Sequence, residues 1–335
     1  MNIRAFLSVF FVFITSVSVS SQDDRNKIEI IRPASYRAPT MTPSDELQRV
    51  LNKAIADVLT RFEAKGVKAD QIAATLIDIR DVNVWKSAEV RGNERIYPAS
   101  VVKMFFMAAL ARQIEDGKVV PSPELKRGLR DMIVDSSNEA TQYVLDVLTD
   151  TSSGAELPTS QFEAWQYKRN RVNRFFTSMG YQNINVNQKT FCEDAYGIEQ
   201  QSRNYRGENR NMLTTDATAR LLAEIVSNRI ARQSYTAEMM QMMKRDPFAP
   251  SKDPDSQAHG FSGKALIDKK LKDVKLWSKA GWTSKTRHDA AYFEFPDGRK
   301  FVIAVFTENH ANIGDIIPSI VGNVIEGMPK PAKLP

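Results

Sequence analysis

The residues whose types and spacing best suit chemistry are Ser100 and Lys103, in the run Tyr97-Pro98-Ala99-Ser100-Val101-Val102-Lys103. A serine that opens a helix sits where unpaired backbone N–H groups and the helix dipole favour developing negative charge. A lysine three residues on shares its face, one turn away. When desolvated, such a lysine can lose its proton and act as base for the hydroxyl. The bare pattern is weak, because composition alone gives about one Ser-x-x-Lys in a chain of this length. An N-cap serine beside a surface lysine is the plainer reading. Two further groups lie downstream: Ser136-Ser137-Asn138 in a helical context, and Lys279-Ala280-Gly281 at the end of a β-rich run.

The elements that must position these residues belong to an ordinary globular chain of 335 residues, 42% hydrophobic and 26% charged. Its net charge of +6 is a mild excess and predicts no nucleic-acid partner. A single cysteine, Cys192, leaves no internal disulfide to form. The three histidines, His259, His288 and His310, stand in no HExxH or CxxC arrangement, so neither a metal nor a cofactor is expected.

Residues 1–21 read as a secretory signal peptide: Arg4, an apolar run of 15 residues from Ala5 to Val19, then small residues. That run falls short of the roughly 20 residues a membrane helix needs. Its removal leaves 45 basic and 40 acidic residues, a charge of +5, and an exported protein, periplasmic or secreted, with no stable membrane span. Residues 22–41 read as a linker. An amphipathic helix capped by Thr42 or Ser44 then runs to about Gly66. Ile72 to Ile79 and Val82 to Trp85 suggest a hairpin, and Ser100 to Ile114 a second helix. Leu125 to Leu148 is helical in period, and Thr149 to Pro158 is a loop. Residues 161–179 carry Lys168, Arg169, Arg171 and Arg174 among aromatics, read as a solvated face rather than a polyanion site. The stretch from Tyr181 to Asn211 has no clear period; helices follow at Leu213 to Ile225 and Tyr235 to Met243. Val274 to Ser278, Ala290 to Phe295 and Phe301 to Phe306 are β-rich, and Asp315 to Ile325 is a closing helix. Strands at both ends and helices between them imply an α/β (α+β) domain over 42–328, with 329–335 as a tail. Its antiparallel sheet is flanked by helices and carries an inserted all-helical subdomain.

Ser-x-x-Lys, then Ser-x-Asn, then Lys-x-Gly on a strand is the ordered motif set of class A β-lactamases and penicillin-binding proteins, and the chain resembles that family. The likeness extends to the flanks. Ala74 to Asp81 resembles the family's first strand, Asn93 to Leu110 the approach to its nucleophile helix, and Met212 to Leu222 the helix after its active-site loop. Arg287 and Asp289 resemble the residues that follow its lysine motif, and the similarity spans about residues 43 to 327. The resemblance implies a serine β-lactamase/DD-peptidase-like fold with Ser100 as nucleophile and Lys103 as its activator. Ser136 would relay a proton to the leaving nitrogen. Asn138 would bind the substrate amide, and Lys279 and Arg287 its carboxylate. The backbone N–H groups of Ser100 and of Trp282, just after Gly281, would form the oxyanion hole.

Four departures stand out. Ser100 and Ser136 are only 36 positions apart, which implies a missing wall segment and a more open cleft. Ala280 replaces a hydroxyl residue, with Thr283 or Ser284 as possible compensation, and Ser137 replaces an aspartate. The deacylating glutamate is ambiguous. Glu193 and Glu199 are the candidates, with Glu208 a weaker third, and the fourth residue after the first two is Gly197 or Arg203 rather than asparagine. The expected activity is β-lactam hydrolysis by a monomeric enzyme on a small-molecule substrate. The alternatives are a penicillin-binding or DD-peptidase-like enzyme acting on cell-wall peptides, or an envelope binding protein without catalysis.

Overall fold

The computed structural model describes residues 28–330. The signal peptide read at 1–21, the start of the linker and most of the tail lie outside the described residues. In chain order the elements are β1 (Met41–Pro43), α1 (Asp45–Arg61), β2 (Ile72–Asp78), β3 (Trp85–Val90), α2 (Val102–Glu115), α3 (Pro123–Val134), α4 (Asn138–Thr149), α5 (Thr159–Arg169) and α6 (Arg171–Ser178). They continue with α7 (Ile198–Arg203), α8 (Thr215–Val226), α9 (Gln233–Met243), β4 (Lys244–Arg245), α10 (Ser262–Asp268), β5 (Lys275–Trp282), β6 (Thr286–Glu294), β7 (Lys300–Glu308) and α11 (Ile316–Gly327).

The seven strands form one sheet in the order β1-β3-β2-β7-β6-β5-β4. The first and last strands of the sequence meet because β2 pairs with β7, Ala74 opposite Val305. The sheet is mixed rather than purely antiparallel: β1 runs parallel to β3 at the edge, and the other five pairings are antiparallel. Both faces are covered. In β7, Val302, Ala304 and Phe306 pack against the helical lobe, whereas Phe301, Ile303 and Val305 pack with α1, α10 and α11. That two-sided burial explains why the strands read as apolar runs rather than alternations.

Helix α1 begins where Ser44 Oγ accepts from Leu47 N at 3.4 Å, which selects Ser44 over Thr42 as the cap. Its buried stripe of Leu47, Leu51, Ala54, Ile55 and Val58 lies against the sheet, and each large residue contributes about 1.5–3 kcal/mol on burial. Helix α2 is buried on nearly every side, Lys103 included. No helix among the described residues is long and apolar enough to cross a membrane.

Several expectations need correction. The hairpin's second strand is Trp85–Val90, because Asp81 Oδ1 accepts from Asn83 N and Val84 N and turns the chain there. The helical period from 125 to 148 is two helices, interrupted at Ser136, whose φ is +58°. The described part of the linker is a packed strap: Ile30 and Tyr36 are buried, and Glu29 pairs with Arg171 and Arg174. Arg169 and Arg171 are likewise interior rather than solvated, while Tyr167 is exposed.

Candidate active site

Ser100 lies in a single 3-10 turn, Ala99–Val101, that leads directly into α2. The turn is strained at Ala99, where φ is +46°, a region L-residues seldom occupy outside functional sites. It is braced from the sheet by His288 in β6. The imidazole Nδ1 accepts from Thr307 N at 3.1 Å, so the proton resides on Nε2, which donates to Tyr97 O at 2.9 Å. Burial lowers the His288 pKa to about 4, keeping the ring neutral and this arrangement fixed.

Strand β5 brings Gly281 against the turn that carries Ser100. A Cβ at Gly281 would sit 2.7 Å from Ser100 N and 2.8 Å from Val101 N, so only glycine allows this approach. Thr283 N donates to Thr286 O at 2.9 Å, making that pair hydrogen-bonded. In the alternating antiparallel ladder, Trp282 opposite Arg287 is then the non-hydrogen-bonded pair, and its N–H points away from β6. Ala280 N points to the same free edge, where it donates to Gln257 Oε1 at 3.1 Å. The N–H groups of Trp282 and Ser100 therefore border one space, the arrangement an oxyanion needs. The Trp282 ring is exposed at the mouth, beside Phe261.

Two amines converge on Ser136. Lys103 Nζ donates to Ser136 O and lies 3.4 Å from Ser136 Oγ; it also donates to Asn138 Oδ1 at 2.9 Å. Lys279 Nζ donates to Ser136 Oγ at 3.0 Å, to Gln257 Oε1 at 2.7 Å and to Ala280 O at 2.7 Å. Burial lowers the Lys103 pKa to about 7, against the opposing influence of Glu139 and Cys192. Burial, with Lys103 and Arg245 nearby, holds Lys279 well below its ordinary value. The half-buried Ser100 hydroxyl has no hydrogen-bond partner among the described residues and is available to a substrate. A nucleophile, a partly neutral amine, a relay hydroxyl and paired backbone donors can together carry out acyl transfer.

Gln257 is a site residue that the sequence does not flag. Its Nε2 donates to Ile133 O and Val134 O, at 3.1 and 2.9 Å, while Oε1 accepts from Lys279 and Ala280. One amide thus ties the end of α3 to the lysine strand. It lies in an unpatterned loop, so only the fold reveals it. Ser137 caps α4, its Oγ accepting from Ala140 N at 3.0 Å, which accounts for a hydroxyl where the family has an aspartate. Thr283 does not replace the hydroxyl missing at Ala280. Its Oγ1 accepts from Lys285 N and Thr286 N inside the β5–β6 turn, and Ala280 faces the opposite core.

Arg287 is held by partners within the protein. It is buried, and its Nη2 donates to Asp255 Oδ1 at 2.8 Å and Gly260 O at 2.7 Å. Glu199 is also structural. Its carboxylate is 1% exposed and takes two bonds from Arg169, at 2.7 and 2.9 Å, and one from Ser153 at 2.8 Å. Lys189 Nζ lies 3.3 Å away. Burial raises the Glu199 pKa, but Arg169 and Lys189 outweigh it and leave the group below its ordinary value. Oε1 is fully engaged and Oε2 takes one bond from Arg169, so the carboxylate is held in an ion-pair cluster. Glu193 and Glu208 are exposed. Glu193 borders a small cavity of about 70 Å³ with Tyr97, Lys189 and Arg210. Among the described residues no carboxylate bonds to Lys103. The residue that the 181–211 segment brings to the site is Cys192, whose Sγ accepts from Asn138 Nδ2 at 3.5 Å.

A family model described as the beta-lactamase enzyme family matches residues 51–323. The chain belongs to the beta-lactamase enzyme family. Its fold is that of solved family members at low identity. It is similar to a β-lactamase from Sphaerobacter thermophilus, at 18% identity and a TM-score of 0.58, covering 82% of this chain and 95% of that one. It is similar to a class A β-lactamase representative from Bacteroides cellulosilyticus, at 15% identity and 0.57, covering 84% and 98%. The structure of PBP-A matches at 16% and 0.56, covering 87% and 98%. No curated protein matches the chain. At these identities the serine-hydrolase fold is what the matches share.

Proposed function

We propose that this β-lactamase-family protein is an exported serine acyl-enzyme former that opens cyclic amides of the β-lactam type and releases the product slowly. The observation that carries the reading is the pair of amines on Ser136 beside a nucleophile turn pressed against Gly281. In the proposed sequence, neutral Lys103 takes the proton from Ser100 Oγ as that oxygen bonds to the lactam carbonyl carbon. Charge gathers on the carbonyl oxygen between the N–H groups of Ser100 and Trp282. The C–N bond then breaks, and the leaving nitrogen takes a proton from Ser136 Oγ, which Lys103, now an ammonium, restores. Asn138 orients the substrate amide. A substrate carboxylate near Lys279 stabilises that amine's charged form, reversing part of the effect of its burial.

Release requires a water activated by a base. The sequence favours hydrolysis through Glu193 or Glu199; the ion pairs on Glu199 and the absence, among the described residues, of a carboxylate bonded to Lys103 shift the preference to a long-lived acyl-enzyme. A PBP-A variant described as an acyl-enzyme complex with penicillin G supports that reading by analogy. The same site suits cell-wall peptides, on which a penicillin-binding or peptidase-like enzyme acts. Export through residues 1–21 and action as a monomer are part of the proposal.

The test is intact-mass spectrometry of the protein after exposure to benzylpenicillin, with Ser100→Ala as control. A penicilloyl adduct on the native protein alone is expected. Absence of any Ser100-dependent adduct or substrate loss rejects enzymatic acylation and favours a binding protein.

A further inference from the structure

A separate cavity of about 670 Å³ opens beside α5 and α6 and includes none of the acyl-transfer residues. Its floor is a frame of side-chain amides that hold one another in place. Asn187 Nδ2 donates to Asn170 Oδ1 at 3.0 Å and to Asn209 Oδ1 at 3.1 Å. Asn185 Nδ2 donates to Asn209 Oδ1 at 2.8 Å, and Asn209 Nδ2 to Ser202 O at 3.0 Å. Gln166 completes the floor. The residue is 4% exposed and its Oε1 accepts from Ser202 Oγ at 2.7 Å, while its Nε2, with no protein partner among the described residues, opens onto the cavity. Two N–H donors held in place and open to the cavity can meet an acceptor oxygen of a ligand there.

The walls are Tyr167 and Tyr205. The Arg174 guanidinium lies 3.9 Å over the Tyr167 ring, and that of Arg206 5.0 Å over Tyr205, which stiffens both. At the rim, Arg95 and Arg206 make no ion pair among the described residues, and Glu163 and Glu208 add acceptors. No aliphatic side chain lines the space, which argues against a lipid or an apolar peptide. Fixed donors and acceptors with phenol rings suit a ligand made of rings dense in hydroxyl and carbonyl oxygen.

The geometry points to an oligosaccharide-binding subsite here, built on Gln166 and the asparagine frame. Arg95 stands two residues before Tyr97, in the extended stretch where Ile96 bridges Leu213, so the two side chains share a side about 7 Å apart. A bound sugar chain therefore lies along the wall that leads to Ser100. The assignment does not depend on the acyl-transfer reading, because its residues are separate.

Isothermal titration of the purified protein with chitotetraose, maltotetraose and sodium phosphate tests it. Saturable binding of at least one saccharide is expected, weakened about tenfold or more in both Gln166→Leu and the exposed-site variant Tyr167→Ala, and unchanged in Ser100→Ala. A preference for chitotetraose would assign acetamido sugars, and equal binding would assign hydroxyl recognition alone. Absence of saturation by either saccharide up to about 10 mM overturns the proposal. So does binding of phosphate alone, or saccharide binding that neither variant weakens while both retain native melting temperatures.

Discussion

Lys279 Nζ stands 3.0 Å from Ser136 Oγ, and Lys103 Nζ approaches the same oxygen at 3.4 Å. A hydroxyl held between two buried amines can pass a proton in either direction with little movement, which is what the departure of an amine nitrogen requires. Substituting Ser136→Ala should lower the rate of Ser100 acylation by about 10²–10⁴-fold while leaving the fold intact. Stopped-flow measurement of acylation with a chromogenic cephalosporin checks this. An unchanged rate would remove Ser136 from the relay.

The Lys103 pKa of about 7 sets the pH dependence. Neutral amine is the reactive form, so the acylation rate should rise with pH through about 7 and level off above it. The linkage to stability has the same direction. A folded-state pKa lowered from 10.5 to about 7 makes protonation unfavourable to the fold, so stability falls as pH drops from 10.5 towards about 7, and this contribution is fully lost below that. His288, lowered from 6.5 to about 4, adds a second loss between those values. Acylation rate and melting temperature measured from pH 4 to 9 report both effects; a flat acylation profile across neutrality would contradict the role of Lys103.

Gly281→Ala places a methyl group 2.7 Å from Ser100 N. Because the methyl meets backbone and not a movable side chain, the turn must shift, so the expected result is a lowered melting temperature together with acylation reduced by about 10²–10³-fold, the range for losing an oxyanion donor. Retained activity would mean that Trp282 and Ser100 do not share the developing charge.

Breaking the Glu199 cluster should show its structural character. Glu199→Gln removes the charge facing the buried Arg169, whose side chain is 0% exposed, and should cost about 3–5 kcal/mol by denaturant unfolding. It should leave the lifetime of any acyl-enzyme unchanged. A prolonged lifetime with little loss of stability would restore Glu199 as the deacylating base.

Much of the site is legible in the sequence because it is local or pinned to regular elements. Ser100 and Lys103 are one helical turn apart, and Lys279 and Gly281 lie two apart on a strand, facing the same side. What escapes are contacts made by irregular backbone. Gln257 has no periodic neighbourhood, and the loop that brings Cys192 to Asn138 is held by side-chain amides rather than by a pattern. His288 lies outside the β-rich run read from Ala290 to Phe295; only the strand's actual start at Thr286 puts it opposite Gly281, where it braces the adjoining turn. The charge content of 168–174 misled, because long arginines read as solvated unless their partners, Glu199 and Glu29, are known to lie across the fold. The two lobes were readable from strands at both ends; the parallel β1 edge was not, since three residues carry too little pattern.

The central claim is an acyl-enzyme on Ser100 that lacks an efficient base for release. Its most direct test is the lifetime of the adduct: label the protein with benzylpenicillin, remove the excess, and follow the intact mass with time in the native chain and in Glu193→Gln. The expected adduct persists long after the penicillin is gone and decays at the same rate in both. Rapid loss of the adduct in the native chain, slowed by Glu193→Gln, would contradict it and identify a hydrolytic β-lactamase.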